Sequence, residues 1–267
     1  MTRDEEIIFS VEGQPRKALV RTPERLAPLP GLLITLAADR CNSLDTEGVR
    51  RVADILLAAG HRAASFDLPN HGERANAHGG GLEGMASAIR AGEDVFADIR
   101  ETGKAFLNLM AARGLMPTGS ALLNGISRGG LAALHLMAFD ARVLACAVHA
   151  PVTDLPTLRE FRGMEENPIV RRGNAPALVE RLAGRAVFLA IGCADARVGA
   201  ERCFEFHARL CSVARRNPPV LFALPGATHA KGAGDEIGYQ AAAVSHASYR
   251  ALRRAEAARN LRAAPLP

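Results

Sequence analysis

The residues Gly125-Ile126-Ser127-Arg128-Gly129 place a serine between two glycines, each two positions away. The motif follows a short apolar run, Ser120 to Asn124, and precedes a segment with helical spacing, Arg128 to Phe139. A serine at such a strand-to-helix turn stands exposed at a sheet edge, on a backbone strained by on the order of 1–3 kcal/mol. The flanking glycines remove side chains that would clash in the turn. Composition alone predicts about 0.08 accidental matches, so its position between strand and helix is what gives the pattern meaning. A hydroxyl is a weak nucleophile until an imidazole takes its proton, and the imidazole needs a carboxylate to fix its tautomer and stabilise its charge. Asp195, in Ile191-Gly192-Cys193-Ala194-Asp195, and His229, in Pro225-Gly226-Ala227-Thr228-His229, each lie just beyond a strand-like run. A helix-capping Asp195 and a solvated His229 are the alternatives taken one at a time. Together with Ser127, in the order Ser, Asp, His, the three residues point to a triad for acyl transfer.

The elements around these residues alternate short β-like runs with longer helical ones, which implies an α/β fold with a mostly parallel central sheet flanked by helices. Glu6 to Val11 and Arg16 to Arg21 read as an antiparallel hairpin at a sheet edge. Strands are expected over Gly31 to Leu36, Arg62 to Asp67, Ser120 to Asn124, Arg142 to Ala150, Ala186 to Ile191 and Pro219 to Leu224. Helices are expected over Thr46 to Ala59, from about Met85 to Arg113, and over Arg128 to Phe139, Ala200 to Ala214 and Ile237 to Arg259. Two segments break the rhythm. Pro69 to Gly84 holds His71, His78 and three consecutive glycines, which suits a mobile loop. Pro151 to Gly184 is cut by four prolines and reads as a small helical cap, residues 151–184, within a single domain of residues 1–267. Its apolar content is too low for a core of its own.

Composition sets further bounds. With 48% hydrophobic and 23% charged residues the chain is not a disordered one. Its longest nearly unbroken apolar run, Gly31 to Ala38, is less than half of the ~20 residues needed to span a membrane. The first residues are acidic where a secretory signal is basic and then apolar, so the expected location is cytoplasmic. Five cysteines form no C-x-x-C pair and no ligand cluster, so neither disulfides nor metal is expected. The net charge of +5 comes with 33 basic residues, of which only Lys17, Lys104 and Lys231 are lysine. No basic run or aromatic interleaving accompanies it, so nucleic acid is not an expected partner.

On the elbow Gly125 to Gly130, the segment Asp67-Leu68-Pro69-Asn70-His71-Gly72-Glu73-Arg74, the acid loop Gly192 to Val198 and the histidine loop Gly226 to His229, the chain resembles the α/β-hydrolases over nearly its whole length. Within them it looks like the dienelactone hydrolase and prolyl-oligopeptidase-like serine hydrolases. The resemblance implies a triad of Ser127, Asp195 and His229 and an oxyanion hole made by backbone N–H groups. These would be the N–H of Arg128 and that of Ala37 or Ala38, although Leu36-Ala37-Ala38-Asp39-Arg40 stands where many relatives carry His-Gly or a glycine cluster. His71 and His149 are candidate pocket residues, each with a structural role as the alternative, and Phe161 is the candidate for an aromatic contact in the acyl pocket. His135 is expected to be a packing histidine, Cys193 a small apolar filler, and the Arg128 side chain either a substrate-carboxylate ligand or, preferably, a partner in a nearby salt bridge. The expected function is hydrolysis of a carboxylic ester, thioester or lactone of a small-molecule acyl substrate without any cofactor. An acyltransferase or cyclase using the same triad, and a non-catalytic binding protein, are the other readings, and assembly into a homo-oligomer is left open.

Overall fold

Alternation of apolar and polar residues opens the chain. In β1 (Thr2–Val11) Ile7, Phe9 and Val11 are buried while Ile8 faces outward. β2 (Gln14–Pro23) pairs with it antiparallel without a register break, from Thr2 opposite Pro23 to Val11 opposite Gln14. Glu12 and Gly13 turn the chain with φ of +49° and +79°, as a tight hairpin with right-handed strand twist requires. Both strands outrun their expected limits, because the ladder continues through polar edge residues that ion pairs such as Arg21 to Asp4 (2.7 Å) hold in place.

The computed structural model describes residues 1–214 and 217–229, so the helix expected over Ile237 to Arg259 lies outside the described residues. β3 (Leu32–Leu36), β4 (Arg62–Phe66), β5 (Ala121–Ile126), β6 (Val143–His149), β7 (Ala186–Gly192) and β8 (Val220–Leu224) complete an eight-stranded sheet in the order β1-β2-β4-β3-β5-β6-β7-β8. β2 meets β4 antiparallel, and every pairing from β4 to β8 is parallel. β3 and β4 are buried along their whole length, as central strands covered on both faces should be, even though β4 carries Arg62 and Ser65.

α1 (Arg40–Asp45) and α2 (Glu47–Ala58) cover one face, where Leu44, Val52 and Leu56 pack on Leu33, Ala63 and Leu122. α3 (Gly81–Arg90), α4 (Val95–Ala112) and α5 (Arg128–Phe139) cover the other, on Ile34, Phe66, Leu123 and Val148. The single helix expected over Met85 to Arg113 is therefore two. Gly92 takes φ +94°, and the Asp94 carboxylate caps the new helix by accepting from the N–H groups of Phe96 (3.1 Å) and Ala97 (2.9 Å). α1 was not anticipated; its N-cap, Asp39, accepts from Asn42 N–H at 2.8 Å.

Residues 151–184 fold into short 3-10 turns, α6 (Pro168–Gly173) and α7 (Val179–Leu182). Their Leu155, Leu158, Phe161, Val170 and Leu178 join the main core rather than form a separate one. α8 (Ala200–Val213) adds Cys203, Phe206 and Leu210 to the same core. His135 is fully buried there as a packing residue, its ring stacked on Phe96 at 5.0 Å. Its Nε2–H donates to Gly173 O (2.9 Å) and its Nδ1 faces Arg100 (3.4 Å), an arrangement that suits only the neutral ring. No helix among the described residues is long and apolar enough to cross a membrane.

Candidate active site

The parallel strands end on one edge of the sheet, and Ser127, Asp195 and His229 lie in the loops leaving it. Ser127 sits between β5 and α5 with φ +55° and ψ −120°, a region that costs a non-glycine residue strain. Its N–H donates to His149 O (2.9 Å), and its carbonyl accepts from Gly130 (2.9 Å) and Val152 (3.1 Å). The flanking glycines are required by contact. A Cβ on Gly125 would lie 2.5 Å from Gly129 O, and one on Gly129 would lie 2.0 Å from Leu36 O. α5 can thus start only where its first turn touches the backbone ends of β5 and β3.

Asp195 and His229 are brought together by a backbone zipper between the loops after β7 and β8. Cys193 N–H donates to Leu224 O and Ala194 N–H to Ala227 O, both at 2.9 Å. The buried Asp195 carboxylate accepts at Oδ1 from the N–H groups of Arg197 (2.9 Å) and Val198 (3.2 Å). At Oδ2 it lies 2.9 Å from His229 Nδ1. A carboxylate only accepts, so Nδ1 carries the proton and Nε2 is left as a base. Ser127 Oγ makes no hydrogen bond to His229 among the described residues.

Leu36 lies opposite Gly125 in the β3–β5 register, which puts Ala37 and Ala38 beside the elbow. Ala37 N–H donates to Ser43 Oγ at 3.1 Å and is committed there. Ala38 is buried, and its carbonyl accepts from Leu68 N–H at 3.0 Å. Arg128 N–H belongs to the first turn of α5, where the helix supplies no acceptor.

Sequence reasoning did not single out the ion pair that holds this corner. Buried Asp67, after β4, accepts from the Arg40 N–H (2.8 Å) and from Arg40 Nη1 (2.7 Å), and Arg40 also reaches Glu6 at 2.8 Å. The loop carrying Ala37 and Ala38 is thereby tied to the turn carrying His71. The available signal was an arginine and an aspartate just past two neighbouring parallel strands.

The remaining candidates are distributed differently. His71 is buried; its Nδ1–H donates to Pro69 O (2.8 Å), while its Nε2 is buried without a partner. His149 is buried with Nε2 3.2 Å from Asn124 Oδ1, which places its ring against the sheet. Phe161 is fully buried in the core and presents no surface to an open pocket. Cys193, expected to be a filler, is exposed. The Arg128 side chain, for which a salt bridge was preferred, forms none among the described residues.

Burial, first among the causes, pushes the pKa of His71 and of His135 down to about 4 from an ordinary 6.5. Between these values the unfolded chain binds protons that the folded one refuses. The stability associated with each ring is therefore complete above about pH 6.5 and falls towards pH 4, by up to about 1.4 kcal/mol per pH unit per histidine. The urea midpoint should be clearly lower at pH 5 than at pH 7, and His135→Gln should flatten that slope. An unchanged midpoint would show that these rings are not held neutral.

No family model and no curated protein sequence matches the chain. Solved structures do. An esterase from an Arctic intertidal metagenomic library shares 17% identity over 92% of this chain and 94% of its own, with a TM-score of 0.68. An esterase of Pyrococcus furiosus gives 18%, 93%, 92% and 0.68 for the same measures. Puromycin hydrolase superposes with a TM-score of 0.70 at 14% identity over 94% of this chain and 39% of its own. At these identities the likeness speaks to architecture, and with the mostly parallel eight-stranded sheet and its flanking helices it is decisive: the chain has the α/β-hydrolase fold.

Proposed function

We propose that the chain is a serine hydrolase that cleaves a carboxylic ester, thioester or lactone through an acyl-serine intermediate. The observation that carries this reading is the Asp195–His229 hydrogen bond at 2.9 Å on the same sheet edge as a serine held at φ +55°. His229 Nε2 takes the Ser127 hydroxyl proton as Oγ attacks the carbonyl carbon, and Asp195 stabilises the imidazolium that forms. The N–H groups of Arg128 and Ala38 receive the oxyanion, Ala37 N–H being spent on Ser43. The C–O bond then breaks, and the leaving alcohol takes the proton from His229. Water deprotonated by His229 attacks the acyl-serine, and Ser127 recovers its proton. The Ser127–His229 contact forms when substrate is bound, as catalytic hydrogen bonds are often long in the free enzyme.

Residues 151–184 serve in this reading as a small cap within one domain, fastened to the acid loop by Glu160. The Glu160 carboxylate accepts from Arg197 Nη2 at 2.8 and 3.0 Å. Acyl transfer of this kind needs no metal or organic cofactor. A fluorophosphonate probe tests the proposal: it should attach covalently to the peptide containing Ser127, and hydrolysis of p-nitrophenyl acetate should stop as labelling completes. No labelling, or labelling at another residue with activity retained, would refute it.

A further inference from the structure

Two main-chain donors hold the Asp195 carboxylate, and they are fixed in different ways. The N–H of Val198, 3.2 Å from Oδ1, belongs to a residue whose side chain is buried in the main core, so packing fixes its peptide. The N–H of Arg197 is the nearer donor at 2.9 Å and has no such anchor. Its side chain is partly exposed, and among the described residues its hydrogen bonds and ion pairs all go to Glu160 of the 151–184 segment. Arg197 Nη2 lies 2.8 and 3.0 Å from the two Glu160 oxygens, and the Glu160 side chain is only 5% exposed. A carboxylate so far out of water needs its cation in place, so the contact is held from both ends. Glu160 is itself fixed from outside the loop, because Arg90 at the end of α3 donates to its carbonyl at 2.9 Å. Arg159 Nε also lies 3.3 Å from one Glu160 oxygen, but that side chain is 75% exposed and adds little. Further along the acid loop, Gly199 packs against the same segment so closely that a Cβ there would lie 3.2 Å from the Thr157 methyl.

We infer that Glu160 is a positioning residue for the triad. Through Arg197 it fixes the peptide N–H that, with that of Val198, holds Asp195 Oδ1 and so points Oδ2 at His229 Nδ1, 2.9 Å away. Glu160, Arg197, Asp195 and His229 thus form a line in which each is hydrogen-bonded to the next. Seating of the 151–184 segment and alignment of the acid become one event, so a segment lifted off the acid loop leaves the base without its orientation. This rests on the reading of Asp195 and His229 as the acid and base of an acyl-transfer triad. Glu160 touches no reacting atom and takes no proton. Its contribution is orientation, in chemistry where a displacement of about 1 Å can cost on the order of 100-fold in rate.

Glu160→Gln, Arg197→Met and the double variant test this by kinetics and NMR. Counting active sites with the fluorophosphonate probe removes any loss of folded protein from kcat. Each single variant should lose about tenfold in kcat on p-nitrophenyl acetate with KM little changed. The double variant should lose no more than the worse single one, because both changes cut the same link. Arg197→Lys should recover part of the loss. The proton between His229 Nδ1 and Asp195 should give a separate far-downfield ¹H NMR signal in the wild type and shift upfield in both single variants. If Glu160→Gln fails to fold, Arg197→Met and the double variant, which leaves no buried charge unpaired, still read the link. Full kcat per titrated site with an unmoved NMR signal, even at a lowered thermal midpoint, would reduce Glu160 to a fastener of the 151–184 segment and overturn the inference. Losses that simply multiply in the double variant would overturn it too. A wild type that neither takes the probe nor hydrolyses any ester would instead overturn the reading of the triad on which it rests.

Discussion

Ser127→Ala is expected to lower kcat on any accepted ester by at least about 10⁴-fold while the protein stays folded. The two halves of this expectation have separate grounds. Alanine keeps the Cβ of serine, so the strain at φ +55° is unchanged, as are the backbone bonds from Ser127 N–H to His149 O and from Val152 N–H to Ser127 O. Among the described residues, no hydrogen bond that holds the elbow passes through the hydroxyl. What is lost is the oxygen proposed to form the acyl-enzyme, and the residual rate would come from the oxyanion donors and from binding. Adding His229→Ala to this variant should cost little more, because a base without its nucleophile has no proton to take. Initial rates with thermal midpoints measure both halves. More than about one per cent residual activity at an unchanged midpoint would place the nucleophile elsewhere.

The elbow could be read from the amino-acid order because its causes are local. Gly125 is demanded by a contact within one turn, with Gly129 O, and strand, serine and helix follow one another directly; Gly129 is demanded instead by Leu36 of the neighbouring strand, and only its fixed place in the motif made it legible. The Asp195 and His229 loops are nearly as local, since each begins where an apolar strand stops. Other features depend on what comes alongside from far away in the chain. Ala37 and Ala38 look alike in sequence; Ser43, on the following helix, takes the N–H of one and so distinguishes them. The apolar period runs on from Met85 to Arg113, and only the positive φ of Gly92 with the Asp94 cap divides it. A salt bridge at Arg128 was the reasonable expectation, because nothing in the order of residues shows that Glu160 and Asp39 are already occupied. Phe161 read as a candidate pocket wall, yet the 151–184 segment lacks enough apolar residues for its own core and spends this ring on the common one.

Asp195→Asn should separate chemistry from architecture more cleanly than any other single change. The two side chains are nearly isosteric, so the amide can occupy the same buried site. Its orientation there is dictated by the backbone. The Arg197 and Val198 N–H groups, at 2.9 and 3.2 Å from Oδ1, both need an acceptor, which holds the amide oxygen on that side. The NH₂ group then faces His229 Nδ1, 2.9 Å from the other position. Two donors cannot face each other, so the imidazole must shift its proton to Nε2 to leave Nδ1 as an acceptor. The atom that should remove the Ser127 proton now carries one of its own. A loss of about 10⁴-fold in kcat is expected for a triad locked in this tautomer. The thermal midpoint should move by only a few degrees, because every buried donor keeps a partner. Asp195→Ala, by contrast, orphans two buried N–H groups at a cost of about 1–3 kcal/mol each and should lower the midpoint sharply. If Asp195→Asn retained wild-type kcat, the carboxylate would be only a structural acceptor for the acid loop, and His229 would take its orientation from elsewhere.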